Sequence, residues 1–179
     1  CVCEAHKELL RREGRQPADM IATGGYVPGQ GYANTVISLD LVTKRCTTLA
    51  PMITGRLSHA TAVVDGKLFV MGGYDRGVPA SSVECLDLET WLWSEVAPMA
   101  TRRSDACNTA GAAVLGGKIF VVGGHDGEER LSSVESFDPA TGIWTAVAPM
   151  NTPRLCHGVV SAQGKLFAVG GYGEEDDQG

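Results

Sequence analysis

At 179 residues the chain has the length of one ordinary domain, with 44% apolar and 20% charged residues, inside the range of globular proteins. A formal net charge of −6 and a pI near 5.2 argue against a nucleic-acid partner, which would require a basic stripe to neutralise phosphates. No apolar run has the length of a membrane-spanning helix, and no secretory leader is legible.

The first residue is Cys1 rather than Met, which reads as a fragment or a processed chain. Residues 1–16 hold good helix formers (Glu4, Ala5, Lys7, Glu8, Leu9, Leu10, Arg11, Arg12) before Gly14 and Pro17. They predict a short helix without repeat character. Six cysteines at 1, 3, 46, 85, 107 and 156 share no repeated position and read as reduced thiols, buried or nearly so. Cys1-x-Cys3-x-x-His6 has the look of half a metal site, but no second ligand pair follows at a suitable spacing, so neither metal nor cofactor is expected.

From residue 18 the sequence repeats. The run Asp-Met-Ile-Ala-Thr-Gly-Gly at 19–25 is a degenerate first copy of Lys-Leu-Phe-Val-Met-Gly-Gly at 67–73. Lys-Ile-Phe-Val-Val-Gly-Gly at 118–124 and Lys-Leu-Phe-Ala-Val-Gly-Gly at 165–171 complete the set. The glycine pairs Gly24-Gly25, Gly72-Gly73, Gly123-Gly124 and Gly170-Gly171 are spaced by 48, 51 and 47 residues. A period of this size marks a repeat architecture, and each apolar run reads as a strand buried on both faces.

After each glycine pair comes a polar loop (26–34, 74–81, 125–132), then an alternating strand (36–40, 83–87, 134–138). An Asp and a Thr three apart follow: Asp40/Thr43, Asp87/Thr90 and Asp138/Thr141. An Asp at the first turn position can accept a backbone N–H two residues on and fix a hairpin. Next stands Trp93 or Trp144, with Cys46 at the matching place, then Pro51-Met52, Pro98-Met99 and Pro149-Met150. Four residues beyond each Met is an arginine: Arg56, Arg103 and Arg154. A strand of small and β-branched residues then turns at Asp65-Gly66, Gly116-Gly117 or Gln163-Gly164 into the next apolar run. Each unit thus holds four short antiparallel strands, A to D, with the Gly-Gly run as B. That is the composition of a propeller blade.

Taken together, Gly-Gly, Asp-x-x-Thr, Trp and Pro-Met-x-x-x-Arg resemble kelch repeats, most closely those of the BTB–BACK–kelch proteins. The resemblance implies an all-β, incomplete kelch-type propeller over 18–172. Strands B–D fall in 18–52, full blades in 56–99 and 103–150, and strands A and B in 154–172. Residues 1–16 would be the last helix of an upstream BACK-like domain, and 173–179 an acidic tail, solvated around Glu174-Glu175-Asp176-Asp177. Sixteen residues separate Arg56 from Gly72 and Arg154 from Gly170, but twenty separate Arg103 from Gly123. The extra residues, placed at 108–111 where strand A should lie, predict a loop or a register shift. An incomplete propeller should also leave unpaired edges at its first inner strand and its last strand B.

Because strands alternate in direction, the B–C and D–A loops lie on one face and the short A–B and C–D turns on the other. Variable loops on a rigid scaffold are where recognition lives. Arg56, Arg102, Arg103 and Arg154 on the D–A loops could grip carboxylate or phosphate oxygens of an acidic or phosphorylated peptide. Alternatively, Arg56, Arg103 and Arg154 bond blade carbonyls and hold the loop. In the family this loop and the residue after Gly-Gly line the substrate pocket, which implicates Tyr26, Tyr74, His125 and Tyr172. A partly buried tyrosine with its hydroxyl in water is the plainer alternative. Trp93 and Trp144 read as filling between blades, and the glycine pairs as points of close backbone approach.

His59 and His157 share a repeat position, unlike a catalytic residue, and read as structural or loop-facing. Asp126 with Glu128 and Glu129 reads as a solvated loop rather than an acid pair. The resemblance implies a non-catalytic, cytoplasmic or nuclear module that recognises substrate for a cullin-based ubiquitin ligase. Cullin and dimer contacts would belong to upstream domains. A cytoskeletal scaffold that binds actin is the rival expectation, and a small-molecule enzyme on the same fold is a third.

Overall fold

A computed structural model describes residues 19–104 and 111–173. The helix expected at 1–16, the extra residues 108–110 and the acidic stretch 174–179 lie outside them. The strands follow in chain order as β1 (Asp19–Thr23), the ribbon β2 (Tyr26–Val27) and β3 (Gly31–Tyr32), β4 (Val36–Asp40) and β5 (Cys46–Thr48). The second unit contributes β6 (Ala60–Val64), β7 (Lys67–Met71), the ribbon β8 (Tyr74–Asp75) and β9 (Val78–Pro79), β10 (Val83–Asp87) and β11 (Trp93–Val96). The third contributes β12 (Gly111–Leu115), β13 (Lys118–Val122), β14 (Val134–Asp138) and β15 (Ile143–Val147), and β16 (Gly158–Ala162) and β17 (Lys165–Val169) follow.

These strands form two complete four-stranded antiparallel sheets, β6-β7-β10-β11 and β12-β13-β14-β15, each in the order A-B-C-D. They are flanked by β1-β4-β5 and by β16-β17. The architecture is all-β and propeller-like, with blades of the expected composition. Strand A is innermost: β12 lies against both β6 and β16. The A–B hairpins turn at residue pairs with both φ positive, such as Asp65 (50°) and Gly66 (74°), which matches the right-handed twist of the flanking strands. At the C–D turns, Asp40 Oδ1 accepts the N–H groups of Val42 and Thr43, and Asp87 Oδ1 those of Glu89 and Thr90. These bonds hold both carboxyls below their ordinary pKa.

The continuous apolar character of strand B follows from packing on both sides. In β7, Leu68 and Val70 join Ile21, Val36 and Met52 of the first blade, while Phe69 and Met71 join Ile119, Val121 and Phe137 of the third. Trp93 and Trp144 edge these two layers. Each indole donates across the blade boundary, Trp93 Nε1 to the Ala50 carbonyl at 2.9 Å and Trp144 Nε1 to that of Ala97 at 2.8 Å. At 25 cal/mol per Å2 of apolar area, burying one such aromatic contributes on the order of 2 kcal/mol, so the layers dominate blade cohesion.

One of the two outcomes expected of the extra residues is absent, and the cysteine reading needs correction. The extra residues of the third unit cause no register shift in strand A. β6 and β16 begin four residues after their arginine and β12 eight, yet β12 pairs with β13 in the same register as its counterparts. With β12 beginning only at Gly111, its side chains keep the same faces as those of β6 and β16. Nor are all the cysteines buried thiols: Cys85 is free and buried, Cys46 is free but exposed, and Cys156 is disulfide-bonded.

Candidate protein-binding face

The B–C and D–A loops meet at one end of the stack, joined by antiparallel bridges. Leu57 pairs with Tyr74, Ser104 with His125, and Leu155 with Tyr172. Each bridge ties the residue just after a glycine pair to the loop that enters its own blade. The glycine pair makes this possible. The second glycine's N–H donates to an arginine carbonyl of the next unit: Gly25 to Arg56 at 2.9 Å, Gly73 to Arg103 at 2.7 Å, Gly124 to Arg154 at 2.9 Å. The first glycine sits at φ between 62° and 64° in these three copies. A Cβ on Gly72 would run into the Arg103 carbonyl and the Met99 side chain, so the close approach admits only glycine.

The repeated arginines take unequal places. Arg56 and Arg103 are 0% exposed, which corrects their reading as substrate contacts. Arg103 donates to the carbonyls of Gly123 and Ser133 (both 2.9 Å), to Ser133 Oγ (2.8 Å) and to Glu135 Oε1 (3.0 and 3.2 Å). Arg56 donates likewise to Gly72 O, Ser82 O, Ser82 Oγ and Glu84 Oε1. Each glutamate also accepts the two N–H groups after the Pro-Met pair: Ile53 and Thr54 on Glu84, Ala100 and Thr101 on Glu135. Three donors on one carboxylate offset the cost of burying it, and the D–A loop is clamped from within. Desolvation holds the Arg103 pKa below its usual value.

Arg102 is exposed, and Arg154 is half-buried and donates to the Gly170 carbonyl at 2.8 Å. Tyr26 is 61% and Tyr172 56% exposed. Tyr74 and His125 are half-buried. Tyr26 stacks edge-on against Tyr32 across the β2–β3 ribbon, centroids 5.9 Å apart. His125 Nδ1 accepts the Gly127 N–H, and Asp126 Oδ1 accepts those of Glu128 and Glu129. Asp126 is therefore a loop-shaping residue, its pKa lowered by those N–H groups. Arg76, on the same face, is also exposed. The arrangement presents aromatic rings and cations on short ribbons held by a rigid core. It suits contact with an extended segment of another protein.

His59 and His157 are buried. His59 Nε2 meets Thr23 Oγ1 of the preceding blade at 2.8 Å. Burial, aided by Arg56, lowers its pKa to about 4. Among the described residues no group of three or more His, Cys, Asp or Glu could hold a metal ion. Sequence reasoning missed Glu84 and Glu135. Their signal was the repeated tripeptide Ser82-Val83-Glu84 and Ser133-Val134-Glu135, against Thr35-Val36-Ile37 in the first copy.

A stack of four-stranded blades with its variable loops at one end defines a repeat propeller. Comparison with known proteins agrees: the KLHDC2/KLHL20/DRC7 Kelch-repeats domain matches residues 13–171. The chain is 29% identical over 154 residues to Kelch-like protein 26 of Danio rerio, covering 86% of the chain and 25% of that relative. It is 36% identical over 183 residues to Kelch-like protein 25 of Xenopus tropicalis (92% and 29%). It is 31% identical over 174 residues to Kelch repeat and BTB domain-containing protein F47D12.7 of Caenorhabditis elegans (92% and 29%). The chain belongs to the kelch-repeat family, as a protein-binding module, and spans between a quarter and a third of the length of these relatives.

Proposed function

We propose that this chain is the substrate-recognition part of a cullin-based ubiquitin ligase adaptor, with cullin attachment made by other domains. The observation that carries the reading is the exposed set Tyr26, Tyr172, Arg76 and Arg102 beside Tyr74 and His125. All stand on the loop face, while Arg56 and Arg103 brace it from inside. The BTB–BACK–kelch resemblance and the kelch-like relatives support the adaptor role. The ligand is a short extended segment with an aromatic contact and a carboxylate for Arg102.

Selection of peptides from a displayed library against the 179-residue chain tests this. Tyr74→Ala and Arg102→Ala should weaken the selected peptides about tenfold or more, the usual cost of removing an interface anchor. Lys44→Ala and Glu89→Ala, on the opposite turns, should not. Equal sensitivity on both faces, or co-sedimentation with actin filaments without peptide binding, would overturn the proposal.

A further inference from the structure

On the loop face, the seam between the second and third blades has a complete four-stranded sheet on either side. Its near side is the ribbon β8–β9, in which Tyr74 pairs with Pro79 and Asp75 with Val78. The ribbon turns at Arg76-Gly77, with φ 50° and 83°, the tight hairpin whose twist matches its strands. Its base is fixed, because Tyr74 and Leu57 exchange N–H···O bonds at 2.8 and 3.2 Å and Ala80 N–H donates to Gly73 O at 2.8 Å. The floor is the D–A loop. Arg103 N–H donates to Ala80 O at 3.0 Å and Ser104 N–H to His125 O at 2.9 Å, which sets Arg102 between the ribbon and the third-blade loop. The far side is the turn 126–129, shaped by the Asp126 carboxylate on the N–H groups of Glu128 and Glu129. That turn leans on the ribbon, since a Cβ on Gly127 would stand 3.3 Å from Pro79 Cγ.

Charge is sorted across this seam. Arg76, its side chain 92% exposed, stands at the ribbon tip and Arg102 on the floor, while Glu128 and Glu129 stand exposed on the far turn. The ion contact of Arg76 is a loose one, Nε to Asp75 Oδ1 at 3.8 Å. Among the described residues no ion pair joins Arg76 or Arg102 to Glu128 or Glu129, although the two loops touch at Pro79 and Gly127. Arg130, next to Glu129, is turned to the Gly173 carbonyl at 2.7 Å. Two strand residues, about 7 Å, separate Pro79 from the tip at Gly77.

We infer that this seam takes a bipolar ligand. It is an extended segment of another protein with an acidic residue for Arg76 and Arg102 and a basic residue for Glu128 and Glu129. The two charges stand two positions apart, because side chains i and i+2 of an extended segment share one side about 7 Å apart. Val78, 53% exposed beside Arg76, gives the intervening chain an apolar contact. Opposite charges at fixed places also select one direction of the segment, since reversal sets like charges face to face. The inference rests on the loop-face reading and adds to it the basic residue and the direction.

Random heptapeptides displayed on phage and selected against the 179-residue chain are expected to carry an acid and a base two positions apart. By fluorescence anisotropy, such a peptide should bind about tenfold more weakly to Arg76→Glu/Arg102→Glu and to Glu128→Lys/Glu129→Lys. Urea midpoints should not move, because all four side chains are exposed. Exchanging the peptide's acid for Lys should restore binding to the first variant and not to the second; exchanging its base for Glu should do the reverse. Full binding by both variants, or no such matched rescue, would overturn the bipolar ligand. If Tyr74→Ala still weakens the peptide in that case, the loop face remains the binding surface and this inference alone fails. Selection of no peptide, or of peptides indifferent to Tyr74→Ala, would overturn both.

Discussion

Replacing Arg103 by alanine should unfold the blade rather than blunt a binding site. The side chain is 0% exposed and makes five hydrogen bonds to Gly123, Ser133 and Glu135. Truncation leaves the Glu135 carboxylate, itself buried, with only the Ala100 and Thr101 N–H groups. Breaking a buried ion pair from one side costs about 3–5 kcal/mol. Two carbonyls also lose a donor. Its neighbour Arg102 is exposed, and Arg102→Ala should stay within about 0.5 kcal/mol of the parent. Urea unfolding followed by tryptophan fluorescence reads both, and at this chain length each kcal/mol corresponds to about 2–4 °C in Tm. If Arg103→Ala unfolds at the parent midpoint, the guanidinium is not part of the internal clamp and the assignment of these arginines to the scaffold fails.

Other outcomes follow from the same contacts. Gly72→Ala should cost about 2–5 kcal/mol, combining left-handed strain with the Arg103 carbonyl, whereas Gly170→Ala meets open space and should cost about 1–2 kcal/mol; paired denaturation curves check the difference. His59 is held neutral in the fold, with a pKa lowered from 6.5 to about 4. The unfolded chain therefore binds more protons between those values, and stability should fall as pH drops from 6.5 to 4, by up to about 3 kcal/mol. His59→Asn should flatten that part of the pH profile. Trp93→Phe removes the bond to the Ala50 carbonyl and should cost about 1 kcal/mol beyond the lost ring area, measured as a shift in urea midpoint.

Much of the fold was legible because repetition amplifies weak signals. One apolar run such as 118–122 could belong to a buried helix segment, but three copies each closed by Gly-Gly at nearly constant spacing could not. The strand positions 83–87 and 134–138 were read directly, since a period-2 pattern ending in Asp-x-x-Thr has one local solution. The arginines were not resolved for a physical reason. A loop arginine next to a glycine pair serves a ligand or the blade equally well until its χ angles are known, and only Glu84 and Glu135 settle it. Those glutamates stand in an alternating strand where an acidic residue reads as solvent-facing. They are buried because the neighbouring blade's loop covers that face, a contact about thirty residues away in sequence. The surplus residues of the third unit were placed on the strand because spacing alone counts them without locating them. The bond at Cys156 has no signature in its spacing.

Hydrogen exchange on the chain with a library-selected peptide bound most directly tests whether the variable loops form one protein-binding face. Protection is predicted in 26–34, 74–81 and 125–132 and around Arg102, with the turns at Asp65-Gly66 and Gly116-Gly117 unchanged. Protection centred on those opposite turns, or split evenly between the two ends, would contradict the account.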